Sequence, residues 1–160
     1  MAVDIFLKLD GIKGESQDHK YKDEIDVLAW SWGAAQSGTT HGGSGSGAGK
    51  VSVQDLSITK YIDKSSATLF QHCCNGKHIK KGKLIVRKAG EKPLEYLTVD
   101  LEDIIVTHVS LGGSGGEDRL TENVTLNFGT FHVKYAVQNA DGSKGAETEH
   151  KWHIAKNVAG

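Results

Sequence analysis

Four closely spaced residues carry side chains of the kinds that bind a soft metal ion. His72, Cys73, Cys74 and His78 fall within seven residues, and zinc prefers imidazole and thiolate ligands. The two cysteines are adjacent, however, and neighbouring side chains on a helix diverge by about 100°. Zinc sites instead place two or more residues between cysteines. We therefore expect no metal ion and no cofactor.

The glycine-rich segment 37–50 raises the second possibility, a phosphate-binding loop ending at Gly49-Lys50. Such a loop needs glycine at position 44 and serine or threonine at position 51, where this chain has Ser44 and Val51. A dinucleotide-binding glycine pattern needs a helix immediately after it, so that helix amides meet the pyrophosphate. An alternating, strand-like pattern follows instead. Nucleotide binding is therefore not expected, and the segment is predicted to be a long projecting loop.

Catalysis and polyanion binding find no support in the remaining residues. No nucleophile-elbow pattern singles out a serine, so we expect neither catalytic residues nor an enzyme. Lysine and arginine total 19 against 20 acidic residues, only two of the 19 being arginine, which argues against a nucleic-acid partner. No apolar run approaches the roughly 18 residues of a membrane span, and residues 1–10 do not resemble a signal peptide. We expect a cytoplasmic protein that does not insert into membranes.

Period-two alternation of apolar and polar residues dominates the chain and predicts its architecture. One short helix is also predicted: Ser65 or Ser66 would cap it and Asn75-Gly76 would end it. Its apolar side would carry Leu69, Phe70, Cys73 and Cys74. These elements predict one domain over 1–160, mainly β, built as a single β-barrel of two packed antiparallel sheets with one short α-helix on its side. The predicted strands are 3–9, 24–32, 51–61, 83–88, 94–110, 124–137 and 147–154.

The segment 25–33 is informative because its two faces differ. Leu28, Trp30 and Trp32 are predicted to share a core-facing side, and the opposite side carries only the small residues Ala29, Ser31 and Gly33. A small polar face either closes on another chain or lines a wet surface. The alternative is an ordinary barrel wall facing bulk water.

Several long runs resemble the haemolysin-coregulated protein (Hcp) family. They are residues 1–4, 23–33, 49–51, 53–56, 60–65, 87–90 and 112–128. The resemblance implies a β-barrel with one lateral helix, six-membered rings, and stacking of those rings into the inner tube of the type VI secretion system. It also implies a contractile sheath and a VgrG spike as partners, small effectors carried in the ring lumen, and release from the cell when the sheath contracts. The alternatives are a phage-like tail tube subunit and, with less support, a carbohydrate-binding β-sandwich.

Two sets of site residues follow from this resemblance. Ala29 and Ser31 become candidates for the lumen lining and for effector contact. Because glycines allow close backbone approach, the tip of the long loop becomes the candidate for contact between stacked rings. Its residues are Gly42, Gly43, Ser44, Gly45, Ser46 and Gly47.

Overall fold

The computed structural model describes residues 3–38 and 49–160, and within them the chain is mainly β with one helix. This confirms the predicted fold class. The strands are β1 (Val3–Leu9), β2 (Ile25–Asp26), β3 (Ala29–Ser31), β4 (Ala34–Ala35), β5 (Ser52–Val53), β6 (Leu56–Tyr61), β7 (Ile79–Lys88), β8 (Leu94–Gly112), β9 (Thr121–Asn127), β10 (Thr130–Gln138), β11 (Lys144–His153) and β12 (Val158–Ala159), and helix α1 spans Ser66–Asn75.

The scaffold is a long, bent antiparallel hairpin that belongs to both sheets. Its first arm is β8, and its second arm is β9 followed by β10. Both strands of the second arm pair with β8 in one continuous register: Asn127 pairs with Ile105, and Thr130, three residues later, pairs with Glu102, three residues earlier. Sequence predicted one strand over 124–137; the structure divides it at Phe128 and Gly129. Opposite this break, Asp103 adopts a positive φ of 55°. The hairpin therefore bends here and passes from one sheet to the other.

The two sheets meet again at residues 25–31. The larger has the order β12-β11-β10-β8-β7-β1-β2, and the smaller contains β3, β6, β9 and the end of β8. The Val27 amide donates to the Ile5 carbonyl (2.9 Å), and the Leu28 amide donates to the Thr59 carbonyl (2.8 Å). The backbone thus changes its strand partner within two residues, so the sheets are joined at this side as well as through β8.

This change of partner corrects the prediction of one strand over 24–32. The segment forms two short strands, and the alternation is interrupted between them. Val27 is buried, whereas Leu28, predicted to face the core, is 45% exposed. Trp30 and Trp32 are half-buried and pack against the core as predicted.

The core lies between the sheets and is mostly aliphatic. Its least accessible side chains are Leu7, Leu9, Ile25, Leu56, Ile58, Leu84, Leu101, Ile104, Val124 and Leu126.

Helix α1 begins and ends where predicted, but the side chain that caps its start and the side that it buries differ from the prediction. Gly76 takes a left-handed conformation and donates to the His72 carbonyl. Neither serine caps the start with its side chain. Asp63 does so instead: its Oδ1 accepts from the Ser65 amide (2.8 Å), and its own amide donates to Ser66 Oγ (3.0 Å). These reciprocal bonds resemble a capping box.

The helix turns Ser66, Leu69 and His72 toward the sheets, and Cys73 is half-buried against the core. Phe70 and Cys74, predicted to lie on the apolar side, are exposed. The predicted apolar stripe was therefore rotated relative to the real one. The reason is that the buried face includes polar side chains that satisfy their hydrogen bonds locally; His72 Nδ1, for example, lies 2.8 Å from the Thr68 carbonyl.

A buried arginine attaches the segment between β1 and β2, residues 10–24, to the larger sheet. Arg87 in β7 forms a bidentate ion pair with Asp18, with N–O distances of 2.5 and 3.1 Å, and its Nη2 also donates to Asp4 Oδ2 at 3.1 Å. Its guanidinium also lies over the Phe6 ring, 5.0 Å from the centroid. The hydrogen bonds from Arg87 lower the pKa of the Asp18 carboxyl from 3.8 to about 2. The folded state therefore favours the ionised carboxylate.

We predict that this pair makes stability depend on pH in the acid range. Because the folded pKa lies below the unfolded one, the contribution is complete above about pH 4 and is lost as the pH falls toward 2. Asp18→Asn should lower the free energy of unfolding by about 1–2 kcal/mol at pH 7. Urea denaturation of both proteins at pH 7 and pH 2 measures this. A difference that is the same at both pH values would contradict the prediction.

Candidate functional site: the hydroxyl-bearing face of the smaller sheet

The outward face of the smaller sheet is a continuous surface of small, polar side chains. Strand register places them in two rows, because side chains on one face of paired strands lie side by side. The first row is Ala29, Thr59, Asn123 and Ser110, and the second is Ser31, Ser57, Thr125 and His108. We call these eight residues the hydroxyl face. Alternation turns the apolar neighbours Ile58, Val124 and Leu126 inward to the core.

Hydrogen bonds across the strands hold this face in place. Thr59 Oγ1 donates to Asn123 Oδ1 (2.7 Å), and the hydroxyls of Ser57 and Thr125 lie 3.4 Å apart. At its margin, Asp55 accepts from Thr107 Oγ1 (3.0 Å) and from Asn127 Nδ2 (2.8 Å). The hydroxyl face itself contains no carboxylate, lysine or arginine. It therefore offers hydrogen-bonding groups without a fixed charge.

Ala29 and Ser31 lie on this face and are exposed, on the side away from the half-buried Trp30. They border a shallow depression of about 380 Å³ that Ser57, Thr59, Asn123 and Thr125 also line. Sequence reasoning found two members of the face from one strand. It missed the others because they come from β6, β8 and β9, and only strand pairing brings them together. The tip of the long loop, residues 42–47, lies outside the described residues.

A buried ionic cluster anchors the hydroxyl face from behind. Lys60 in β6 pairs across the ladder with Glu122 in β9, and both side chains are inaccessible to solvent. The Lys60 ammonium also donates to Asp63 Oδ1 (2.9 Å) and the Tyr61 carbonyl (2.9 Å), and Ser66 Oγ donates to Glu122 Oε1 (2.6 Å). The cluster thus ties β6 and β9 to the start of α1. A signal existed: Lys60 and Glu122 occupy apolar positions in their alternating strands.

The histidines and cysteines considered as metal ligands do not form one site. His72 is buried in the helix, while Cys74 and His78 are exposed. In residues 3–38 and 49–160, no three His, Cys, Asp or Glu side chains are placed to hold one ion. Over the same residues, no helix has the length and apolar character needed to cross a membrane.

An apolar groove lies beside the part of the larger sheet that β10, β11 and β12 form. The sequence did not predict it. It measures about 360 Å³ and is lined by Trp32, Val51, Val53, Phe131, Val133, His150 and Trp152, among others. Trp32 packs edge-on against Phe131, with ring centroids 4.9 Å apart. The Trp152 indole nitrogen is buried, and no acceptor for it lies in the described part of the chain. The lining comes from four separate strands and adjoining segments, so no local pattern indicates it.

Comparison with known proteins places this architecture in a family. The family model for "Type VI secretion system effector, Hcp" matches residues 6–135. The chain belongs to the Hcp family. It is 58% identical to Protein hcp1 of Pseudomonas aeruginosa, over 99% of both chains. Members of the Hcp family form the type VI secretion tube, and this chain is accordingly a subunit of that tube, an assembly of many copies.

Solved structures agree with this assignment. Hcp1 from Salmonella typhimurium is 45% identical, with a TM-score of 0.83 over 99% of each chain. A protein described as a type six secretion system protein has a TM-score of 0.94 at 26% identity, covering 99% of this chain and 100% of its own. The Hcp family consists of structural, secreted tube proteins. The resemblance stated from sequence is therefore confirmed.

Proposed function

We propose that six copies of this chain close into a ring, that the rings stack into the secretion tube, and that the hydroxyl face lines the ring lumen. The observation that carries the lumen assignment is the contrast between the two sheets. The hydroxyl face has no fixed charge, whereas the outward face of the larger sheet carries Lys8, Lys83, Asp100, His132 and Lys134. Of these two faces, the one without fixed charges is better suited to line a channel that passes different cargo proteins.

In this proposal, Ala29 and Ser31 contact small effectors carried in the lumen, with Ser57, Thr59, Asn123 and Thr125 beside them. Hydroxyl and amide groups exchange hydrogen bonds with water and with polar protein surfaces at little net cost. The face can therefore hold a cargo weakly and release it. The glycines and serines at 42–47 remain our candidate for contact between stacked rings.

The tube works by assembly and mechanical delivery and not by covalent chemistry. Before discharge the protein resides in the cytoplasm, within a contractile sheath and beneath a VgrG spike. Contraction of the sheath then carries the tube out of the cell. A ring contact joins one patch to a different patch and closes when the rotation completes a circle. With a net charge of −1, copies of the chain repel one another little.

Native mass spectrometry tests the ring. We expect a species of six times the 17.2 kDa chain at micromolar concentration, because a closed ring leaves no unpaired contact patch. Collision-induced loss of single chains from that species would confirm the count. Only monomer at this concentration would contradict the proposal, and a predominant mass of another multiple would overturn the sixfold ring while leaving assembly itself intact.

A further inference from the structure

Part of β11 has no partner strand on its outer side. Among the described residues of the larger sheet, it is the longest strand segment of this kind. Strand β11 pairs with β10 along its length, from Thr130–His153 to Gln138–Lys144. Its other side pairs with β12 only at Trp152 and His153. Among the described residues, 144–150 therefore present a strand edge of seven residues that no other strand covers.

Two hydrogen bonds fix which backbone groups point outward along this edge. The Lys151 carbonyl accepts from the Gly160 amide on the β12 side, whereas the Ile154 amide donates to the Gly129 carbonyl on the β10 side. In an antiparallel ladder, successive residues direct their N–H and C=O groups to alternate sides. Glu147 and Glu149 therefore share the orientation of Lys151. Their amides and carbonyls face away from β10.

The charged side chains of β11 do not cover this edge. Charges usually protect exposed strand edges from pairing. Here Glu149 is drawn back over β10, where its Oε2 lies 3.2 Å from His132 Nε2 and 3.9 Å from Lys134 Nζ. Glu147 is paired along its own strand with Lys144 at 2.7 Å. Among the described residues, no group bonds to the outward amides and carbonyls of Glu147 and Glu149.

We propose that this edge of β11 accepts an extended segment from a second copy of the chain, which adds as a further strand of the larger sheet. This inference rests on the proposed ring, for which it names one contact surface. Unpaired N–H and C=O groups at a strand edge bind an extended backbone. Side chains on one face of the added segment would lie beside His150 and extend the apolar groove. Those on the other face would lie beside Glu147 and Glu149.

Charge excludes one way of making this contact. If β11 paired antiparallel with β11 of the second copy, centred on any residue from Glu147 to Glu149, at least one glutamate would lie opposite a glutamate. Like charges directly opposite each other destabilise a sheet. In a closed ring two unlike patches meet, so the segment that adds is a different one.

A proline substitution tests the edge selectively. Glu149→Pro removes an outward N–H but none of the backbone hydrogen bonds to β10, because proline is tolerated in an edge strand where its nitrogen faces outward. Glu149→Ala is the matched control, since it removes the same carboxylate and keeps the N–H. The concentration at which half of the chains are assembled should rise about tenfold for Glu149→Pro, and should change little for Glu149→Ala. Analytical ultracentrifugation over a dilution series measures it.

The outcomes separate this inference from the proposed ring. If the unchanged protein does not assemble, the proposed ring and the β11 contact are both wrong. If it assembles, and folded Glu149→Pro assembles at the same concentration, only the β11 contact is overturned. Should Glu149→Pro fail to fold, amide hydrogen exchange of the unchanged protein decides the matter. The amides of Glu147 and Glu149 should exchange rapidly in dilute monomer and slowly in the assembly; equal rates in both would overturn the inference.

Discussion

Replacing Lys60 by methionine should lower the free energy of unfolding by about 3–5 kcal/mol, the cost of leaving a buried charge without its partner. Both Lys60 and Glu122 are inaccessible to solvent. Without the ammonium, Glu122 would keep only Ser66 Oγ as a hydrogen-bond donor among the described residues, because its Oε2 already has none. Asp63 would lose the same ammonium. Two carboxylates would then lie close together where solvent has little access.

A double substitution separates the value of the pair from the cost of breaking it. Replacing a buried ion pair by apolar side chains of similar size is often close to neutral. Lys60→Met with Glu122→Leu should therefore recover at least half of the stability lost in Lys60→Met. The control is Lys77→Met, at an exposed lysine, which should change stability by no more than about 0.5 kcal/mol.

Urea denaturation of all the variants at one protein concentration provides the measurement, because assembly makes apparent stability depend on concentration. A double variant less stable than Lys60→Met would show that the carboxylate is favourable even without lysine. The prediction of an uncompensated charge would then be wrong. Loss of the helical circular dichroism signal before the sheet signal would indicate that α1 detaches first, since the cluster contains its capping residue Asp63.

The elements that could be predicted from sequence are those whose signal is local. The alternation in β1 can be read without knowing which strands lie beside it, and the Asn75-Gly76 pair that ends α1 acts through local backbone preference alone. Leu28 could not be placed correctly. Its exposure follows from the change of hydrogen-bond partner between Val27 and Leu28, which depends on where β1 and β6 lie in space.

The candidate site shows the same division. Ala29 and Ser31 were found because one strand suffices to separate a small face from a large one. The rest of the hydroxyl face depends on register across three other strand segments, which alternation does not specify. Lys60 could have been singled out, since a lysine at an apolar position needs a buried counter-charge. The identity of that counter-charge, Glu122, again follows only from pairing.

Replacing Ser31 by glutamate should leave the fold intact and reveal what the hydroxyl face contacts. Ser31 is exposed, so the carboxylate stays hydrated in the monomer and stability should change by no more than about 0.5 kcal/mol. If the face lines the lumen, a ring of six gains six carboxylates around its channel. Rings should then form normally, while retention of an acidic cargo protein weakens at low salt and recovers as salt screens the charge.

The opposite result would follow if the hydroxyl face were a contact between subunits. An unpaired carboxylate buried there would cost several kcal/mol per contact, and the ring would dissociate. Ala140→Glu, which adds the same charge at the exposed turn after β10, is the control for charge alone. Analytical ultracentrifugation of the two variants decides between the arrangements. A monomer for Ser31→Glu beside an intact ring for Ala140→Glu would remove the hydroxyl face from the lumen, and intact rings for both would place Ser31 at a surface that assembly leaves open.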